Sequence, residues 1–223
     1  MKLTINIPES LNEVTLKQYQ KWLKIADGKE LDSFLQQKMV EIFCNIPLKQ
    51  VLQIKATDIN KICQELSKLF NTEPKFIDRF TINDKEFGFI PKLDDISFGE
   101  YVDLDTYLAD WELMNKAIGV LFRPITYKKK KQYLIEDYES ADKYDMTETT
   151  LDVVFGSLVF FYSLKNELQK TILNYLATQK EIELPQHLRD SLQNGAGINL
   201  STDLLMETFS NTMKLPNQNS TPV

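Results

Sequence analysis

The chain has 223 residues, 43% of them hydrophobic and 26% charged, which predicts a folded globular protein of one or two domains, and only seven glycines favour helices. Its formal net charge of −6 argues against binding nucleic acid over the whole surface, although a local basic patch is compatible with it. The longest apolar run, residues 153–164, falls short of the roughly 20 residues of a membrane span, and no signal peptide is expected at the first residues.

The first structural signal is an alternating apolar run that predicts a strand at residues 2–7. Thr15 is placed to cap the next helix, and Gln18, three residues later, completes the spacing of a capping box. Periodic apolar residues predict helices over about 15–26, 30–45 and 57–70, with a short helical turn at 47–54. Cys44 and Cys63 lie within these helical patterns, which predicts two buried, reduced thiols in a reducing compartment.

A predicted β-hairpin follows, with residues 76–82 and 87–90 on either side of a polar turn at 83–85. Because a two-stranded hairpin alone is marginally stable, we expect the strand at 2–7 to join it as a third strand. Ser97 and Glu100 then repeat the capping-box spacing. Two further helices are predicted over about 97–110 and 111–122, with inward residues at Tyr101, Leu104, Leu108, Leu113, Ala117, Val120 and Leu121.

The second helix start repeats the first, because residues 11–19 align without a gap on residues 93–101. Each copy follows an Ile-Pro pair and leads to a helix that ends near a proline. The repetition predicts a duplication, although helix-start signals are common enough to recur by chance. The expected fold class is therefore mainly α with a small antiparallel β element (α+β): two tandem β-α-α-α units, residues 1–74 and 75–184, that share a short sheet.

The second unit contains the longest predicted helix, over about 149–181, whose first half is apolar all round and is expected to form the central post of the fold. Residues 185–223 form a predicted C-terminal arm that carries an apolar row on a helix of about 13 residues. A single stripe on so short a helix is not stable alone in water, so the arm is expected to bind a partner. The residues expected to make this contact are Leu204, Leu205, Phe209 and Met213.

A polar insertion at residues 125–147 contains the lysines Lys128, Lys129, Lys130 and Lys131, bracketed by two tyrosines. Lysines beside aromatic rings can contact a phosphate backbone, and the same loop could contact a protein. The acidic run at 136–139 is expected to neutralise much of this positive field, which favours a solvated loop.

Catalytic signals are weak throughout the sequence. The one histidine, His187, has no nucleophile motif near it, and the cysteines lack zinc-binding spacing. Asp94 and Asp95, with Asp103 and Asp105, could hold a divalent metal, but carboxylates at a helix start are more typical of dipole compensation. We expect no catalytic residue, no metal and no cofactor.

Three runs carry a family resemblance: FIPKLDDISFGEYVDLD at residues 89–105, LFRPIT at 121–126 and YLIEDY at 133–138. Together they resemble uncharacterised proteins from the structural gene blocks of tailed bacteriophages, in particular crAss-like phages of gut Bacteroides-type hosts. The resemblance extends over roughly residues 1–180, carries no assigned residue roles and does not include the C-terminal arm.

The resemblance implies a non-enzymatic virion structural protein, made in the host bacterial cytoplasm and retained in the virion. Such a head-tail connector, tail ring or packaged cargo protein would act through contacts with other phage structural proteins, in multiple copies and without a membrane. One alternative is a soluble tail-assembly chaperone. A weaker one is a metal-dependent nuclease that uses Asp94 and Asp95.

Overall fold

The computed structural model describes residues 5–26, 29–92 and 96–161, which form an α+β fold and confirm the predicted class. Short 3-10 helices lie at Leu11–Glu13 and Trp111–Leu113. The α-helices are α1 (Leu16–Ala26), α2 (Ser33–Phe43), α3 (Leu48–Val51), α4 (Ala56–Phe70), α5 (Phe98–Leu108), α6 (Met114–Leu121) and α7, of which residues 151–161 are described. The helix predicted to begin at Trp111 therefore begins as a 3-10 turn and ends before Phe122, which enters a strand.

The strands form one antiparallel sheet in sequence order. They are β1 (Arg79–Ile82), β2 (Lys85–Phe89), β3 (Phe122–Lys129) and β4 (Gln132–Ile135). The first hairpin turns at Asn83 and Asp84, whose φ angles of 49° and 63° are those of a two-residue turn that matches strand twist. This confirms the predicted hairpin and its polar turn.

The expected third strand is wrong for residues 5–7, while residues 2–4 lie outside the described residues. Residues 5–9 adopt no strand, and the inner edge of the hairpin is paired with β3, in a register that sets Phe89 opposite Phe122. The Phe122 ring lies 5.1 Å from that of Phe89 and 5.0 Å from that of Phe80, so this pairing buries three aromatic rings together. Ile5 and Ile7 instead pack, partly buried, against the core.

Both predicted capping boxes are confirmed. Thr15 Oγ1 accepts from Gln18 N (3.3 Å), and Gln18 Oε1 accepts from Thr15 N (2.9 Å). At the second start, Ser97 Oγ accepts from Glu100 N (3.2 Å) and Glu100 Oε2 accepts from Ser97 N (2.7 Å). Each box satisfies amide groups that would otherwise lack partners at a helix start.

In both copies the third residue of the helix also reaches the end of the following helix. Gln18 Nε2 donates to the Ile42 carbonyl in α2 at 2.8 Å. Glu100 Oε1 accepts from Arg123 Nη2, just beyond α6, at 2.8 Å. Both halves thus have a capping box and a polar contact from the first helix to the end of the next, which supports the duplication. The duplication and its unit boundaries stay predictions.

Residues 151–161 lie in the middle of the core. Leu16 N donates to the Thr149 carbonyl (2.8 Å) and Leu151 N to that of Val14 (2.9 Å), so the starts of α1 and α7 are joined directly. Phe155 contacts Tyr19 edge-on, with ring centroids 5.4 Å apart. The buried apolar residues of both halves form one cluster around this helix, as expected for a central post. Its predicted continuation to residue 181 lies outside the described residues.

Candidate interaction surfaces

The lysine run lies on a β-hairpin and not in the loop expected from sequence. Lys128 and Lys129 end β3, and Lys130 has a φ of 57°, the left-handed conformation that turns the chain into β4. Residues on either side favour strand formation, since the runs that flank the lysines are rich in Ile, Thr, Tyr and Leu. We call the projecting part of this hairpin, residues 127–134, the finger.

One side of the finger is fastened to the neighbouring strand. Lys128 Nζ contacts both carboxylate oxygens of Glu86, at 2.6 and 2.9 Å. Tyr133 covers Gly88, where a Cβ would lie 2.5 Å from its ring, and its hydroxyl donates to the Phe89 carbonyl at 2.9 Å. Burial raises the pKa of Tyr133 above its usual value, so the hydroxyl keeps its donor proton at neutral pH.

The other side of the finger is open to solvent. Tyr127 and Leu134 are paired across β3 and β4, and they are 56% and 60% exposed. A β-bulge between Ile125 and Tyr127 places this pair on the sheet side that carries Phe122 and, further in, the core. The apolar side of the sheet therefore continues into an exposed apolar pair, which sequence inspection missed.

Two of the three carboxylates in the acidic run are engaged by residues other than the lysines of the finger. Glu136 Oε2 accepts from Tyr144 (2.8 Å) and pairs with Lys143 (3.0 Å), while Glu139 pairs with Lys143 at 2.8 Å. The hydrogen bonds from Tyr144 and Lys143 hold the pKa of Glu136 below its usual value. Glu136 and Glu139 therefore pair with Lys143, and the expected neutralisation of the finger by the run as a whole stays a prediction.

Three lysines lie at or beside the tip of the finger. Within residues 5–26, 29–92 and 96–161, Lys129, Lys130 and Lys131 form no ion pair, and all three are exposed. Surface charges so close together repel one another, and a ligand with negative charge would relieve that repulsion.

A second exposed apolar surface lies on α5. Phe98 is 82% exposed, and Tyr101 and Val102 are exposed as well. Together with the exposed Asp105 they occupy an arc of about 100° around the helix, and we call these four residues the α5 face. The prediction that Tyr101 points inward is wrong, because the buried stripe of α5 runs through Glu100, Leu104 and Leu108.

Glu100 can be buried because Arg123 accompanies it. Their side chains are 6% and 12% exposed and joined at 2.8 Å, and the guanidinium also lies 5.8 Å from the centre of the Tyr138 ring. The Tyr138 hydroxyl donates to Asp103, and burial, followed by this contact, raises the pKa of Tyr138 above its usual value. This network fastens α5 to β3 and to the segment after β4.

Of the four carboxylates considered for a metal site, the structure describes two, which have different surroundings. Asp103 is engaged by Tyr138, Asp105 faces solvent, and Asp94 and Asp95 lie outside the described residues. In the part of the chain that the structure describes, no three His, Cys, Asp or Glu side chains are arranged to hold a metal ion.

Both cysteines are buried free thiols, as predicted. Burial raises the pKa of Cys44 to about 11. It also raises that of Cys63 to about 11, with a smaller contribution from Cys44. A thiol with so high a pKa is a poor nucleophile at neutral pH, so both act as apolar core groups. The reducing compartment stays a prediction.

An open cleft of about 480 Å³ lies beside α1, lined by Gln20, Leu23, Lys24, Trp111 and Glu112. Its polar groups are largely bonded to one another. Gln20 Nε2 donates to the Trp111 carbonyl at 2.8 Å, and Lys24 pairs with Glu112 at 3.4 Å. The cleft therefore offers few uncommitted polar groups to a ligand.

The remaining predicted site residues have no described position. His187 and the arm residues Leu204, Leu205, Phe209 and Met213 all lie outside the described residues. Over the ranges that are described, no helix combines the length and apolar character needed to cross a membrane. Comparison of the chain with protein-family models, curated proteins and solved structures finds no match.

Proposed function

We propose that this chain is a non-enzymatic structural protein of a tailed-phage virion, a head-tail connector, tail ring component or packaged cargo protein that acts through protein contacts. The resemblance of residues 89–105, 121–126 and 133–138 to phage structural-block proteins supports the phage assignment. The observation that carries the mode of action is the finger, which holds Tyr127 and Leu134 exposed on a fastened hairpin.

A hairpin that is held in one position before binding is well suited to a structural contact. Each apolar side chain buried at an interface contributes about 25 cal/mol per Å² removed from water. That gain is partly lost when a mobile segment must be ordered on binding. The Lys128 to Glu86 ion pair and the Tyr133 hydrogen bond hold the finger before any partner arrives, so little ordering is required.

Mass spectrometry of purified virions, with copy number, tests the proposal. We expect the protein in intact particles at a fixed stoichiometry relative to the major capsid protein. A phage replication protein of similar cellular abundance serves as the control for contamination. Detection in the infected-cell lysate together with absence from particles would contradict the proposal and favour the tail-assembly chaperone.

A variant pair tests the role of the finger in that particle. Tyr127→Ser with Leu134→Ser removes the exposed apolar pair and should lower incorporation into virions. Leu52→Ser is the matched control, since Leu52 is 63% exposed but lies just after α3, away from the sheet. Equal incorporation of both variants would show that the finger is not a virion contact.

A further inference from the structure

We propose that the finger of one copy of this chain docks on the α5 face of a second copy, so that copies associate head to tail. The partner named here for the proposed virion protein is a second copy of the same chain. The self-association rests on the proposed virion role only in that the virion is where it would take place. Two exposed surfaces of the same chain carry it, through their complementary charge and apolar character.

The charges of the two surfaces are opposite. Removing the four positive charges of Lys128, Lys129, Lys130 and Lys131 from the net charge of −6 leaves −10 for the rest of the chain. The finger is thus a basic projection on an otherwise acidic molecule. The α5 face carries Asp105, which forms no ion pair among the described residues. A second copy therefore supplies the negative charge that the finger lacks.

The apolar parts of the two surfaces also correspond. The finger presents Tyr127 and Leu134 next to its lysines, and the α5 face presents Phe98 and Tyr101 next to Asp105. Aromatic residues, tyrosine among them, are enriched in the energetically dominant part of protein interfaces. A contact that joins these groups buries both apolar pairs and brings lysine close to aspartate.

Contact between copies is favoured because the tip of the finger lies far along β3 from the point where that strand meets its own α5. Arg123, where β3 contacts Glu100 of α5, is separated from Lys129 by about 20 Å of extended strand. Lys128 and Tyr133 hold this strand pair against β2, so the tip does not fold back.

Since the two surfaces differ, the association is heterologous. A heterologous contact closes into a ring or continues as a filament, depending on the rotation between successive copies. Nucleic acid is the less favoured occupant of the finger. The acidic remainder of the chain would repel a phosphate backbone, and the exposed Leu134 would gain little from it.

Sedimentation velocity and light scattering of the purified full chain, over a concentration series at low salt, test the proposal. We expect concentration-dependent association that weakens as salt rises towards about 1 M, where charge interactions are screened beyond about 3 Å. Lys129→Glu with Lys131→Glu should weaken association about tenfold or more, and so should Phe98→Ser with Tyr101→Ser.

Matched controls alter the same residue types elsewhere on the surface. Lys21→Glu with Lys49→Glu changes two exposed lysines on α1 and α3, and Phe34→Ser with Leu52→Ser changes two exposed apolar residues. Both control pairs should associate like the unmodified protein. Far-UV circular dichroism and thermal scans establish that every variant is folded.

A mixing experiment identifies the head-to-tail arrangement. The lysine variant keeps its α5 face and the Phe98 variant keeps its finger, so each alone should be monomeric while a one-to-one mixture forms a dimer and nothing larger. A monomeric unmodified protein, association that survives either double variant, or a mixture without dimer would each overturn the proposal.

A fluorescence anisotropy titration with single-stranded and duplex oligonucleotides tests nucleic acid as the alternative ligand of the finger. Tight oligonucleotide binding that is lost in the lysine variant, without self-association, would also overturn the proposal. Virion incorporation is measured separately, so a protein that is present in particles but monomeric in solution refutes the self-association and leaves the virion role standing.

Discussion

Replacing Gly156 by alanine should destabilise the protein, although the residue lies in a helix. In an open helix, alanine is more stable than glycine by about 1 kcal/mol. A Cβ at position 156 would lie 2.1 Å from the carbonyl oxygen of Lys75 and 3.3 Å from Cα of Phe76. These opposing atoms belong to the backbone and cannot rotate away. The helix α7 and residues 75–76 must therefore move apart by about 1 Å before the new Cβ reaches van der Waals contact.

The cost of that separation can be placed in the range for overpacked cores, about 1–3 kcal/mol. It should fall in the upper part, because Phe76 stacks on Phe160 with centroids 4.2 Å apart and moves with Lys75. After the gain in helix propensity, we expect a net loss of about 2 kcal/mol, which lowers the melting temperature by roughly 4–8 °C in a chain of this size.

Urea denaturation of Gly156→Ala beside Gly99→Ala tests the reasoning. Gly99 is exposed in α5 and a Cβ there would meet nothing within 4 Å, so its replacement should stabilise by about 0.5 kcal/mol. Opposite signs for the two substitutions are the expected result. If Gly156→Ala were as stable as the unmodified protein or more so, the close approach of α7 to residues 75–76 would be refuted.

Three further predictions use the same denaturation assay. Glu100→Gln should cost about 3 kcal/mol by leaving Arg123 without its carboxylate, and adding Arg123→Met should recover part of that loss. Tyr133→Phe should lower the free energy of unfolding by about 1 kcal/mol, because the variant loses the hydrogen bond to the Phe89 carbonyl. Because burial raises the pKa of Cys44 and Cys63 from 9.0 to about 11, stability should fall between those pH values, and less steeply once both are alanine.

The features predicted correctly from sequence depend on short-range interactions. The capping boxes at Thr15 and Ser97 need only a partner three residues away, so their spacing in the sequence is sufficient. The hairpin at residues 79–89 is similar, because its turn is set by Asn83 and Asp84 themselves.

The wrong predictions involve partners far apart in sequence. The position of Tyr101 was mistaken because the buried stripe of α5 includes Glu100, and a carboxylate is assigned to the surface unless its partner is known. That partner, Arg123, comes 23 residues later. The missing third strand has the same origin, since only tertiary contacts decide whether β3 or residues 2–7 pairs with β2.

The finger was not predicted because four consecutive lysines carry no recognisable sequence signal for the end of a strand or for a turn. Turns of two residues are usually recognised from Gly or Asn, whereas here Lys130 adopts the left-handed conformation. The usable signal was the cross-strand pattern on either side, which sets Tyr127 opposite Leu134 and Lys128 opposite Tyr133.

The two sides of the finger have different physical roles, and the difference explains why its apolar pair stays exposed. Lys128 and Tyr133 make the contacts to β2, whereas Tyr127 and Leu134 lie on the opposite side of the hairpin and remain exposed. As a cross-strand pair these two side chains contribute only about 0.2–1 kcal/mol to the hairpin, so folding alone gives a small reason for them to be apolar. Polar residues there would cost the isolated chain little and would improve its solubility. The proposed burial against a partner accounts for an apolar pair on this projection, and the charge of the neighbouring lysines favours an acidic partner.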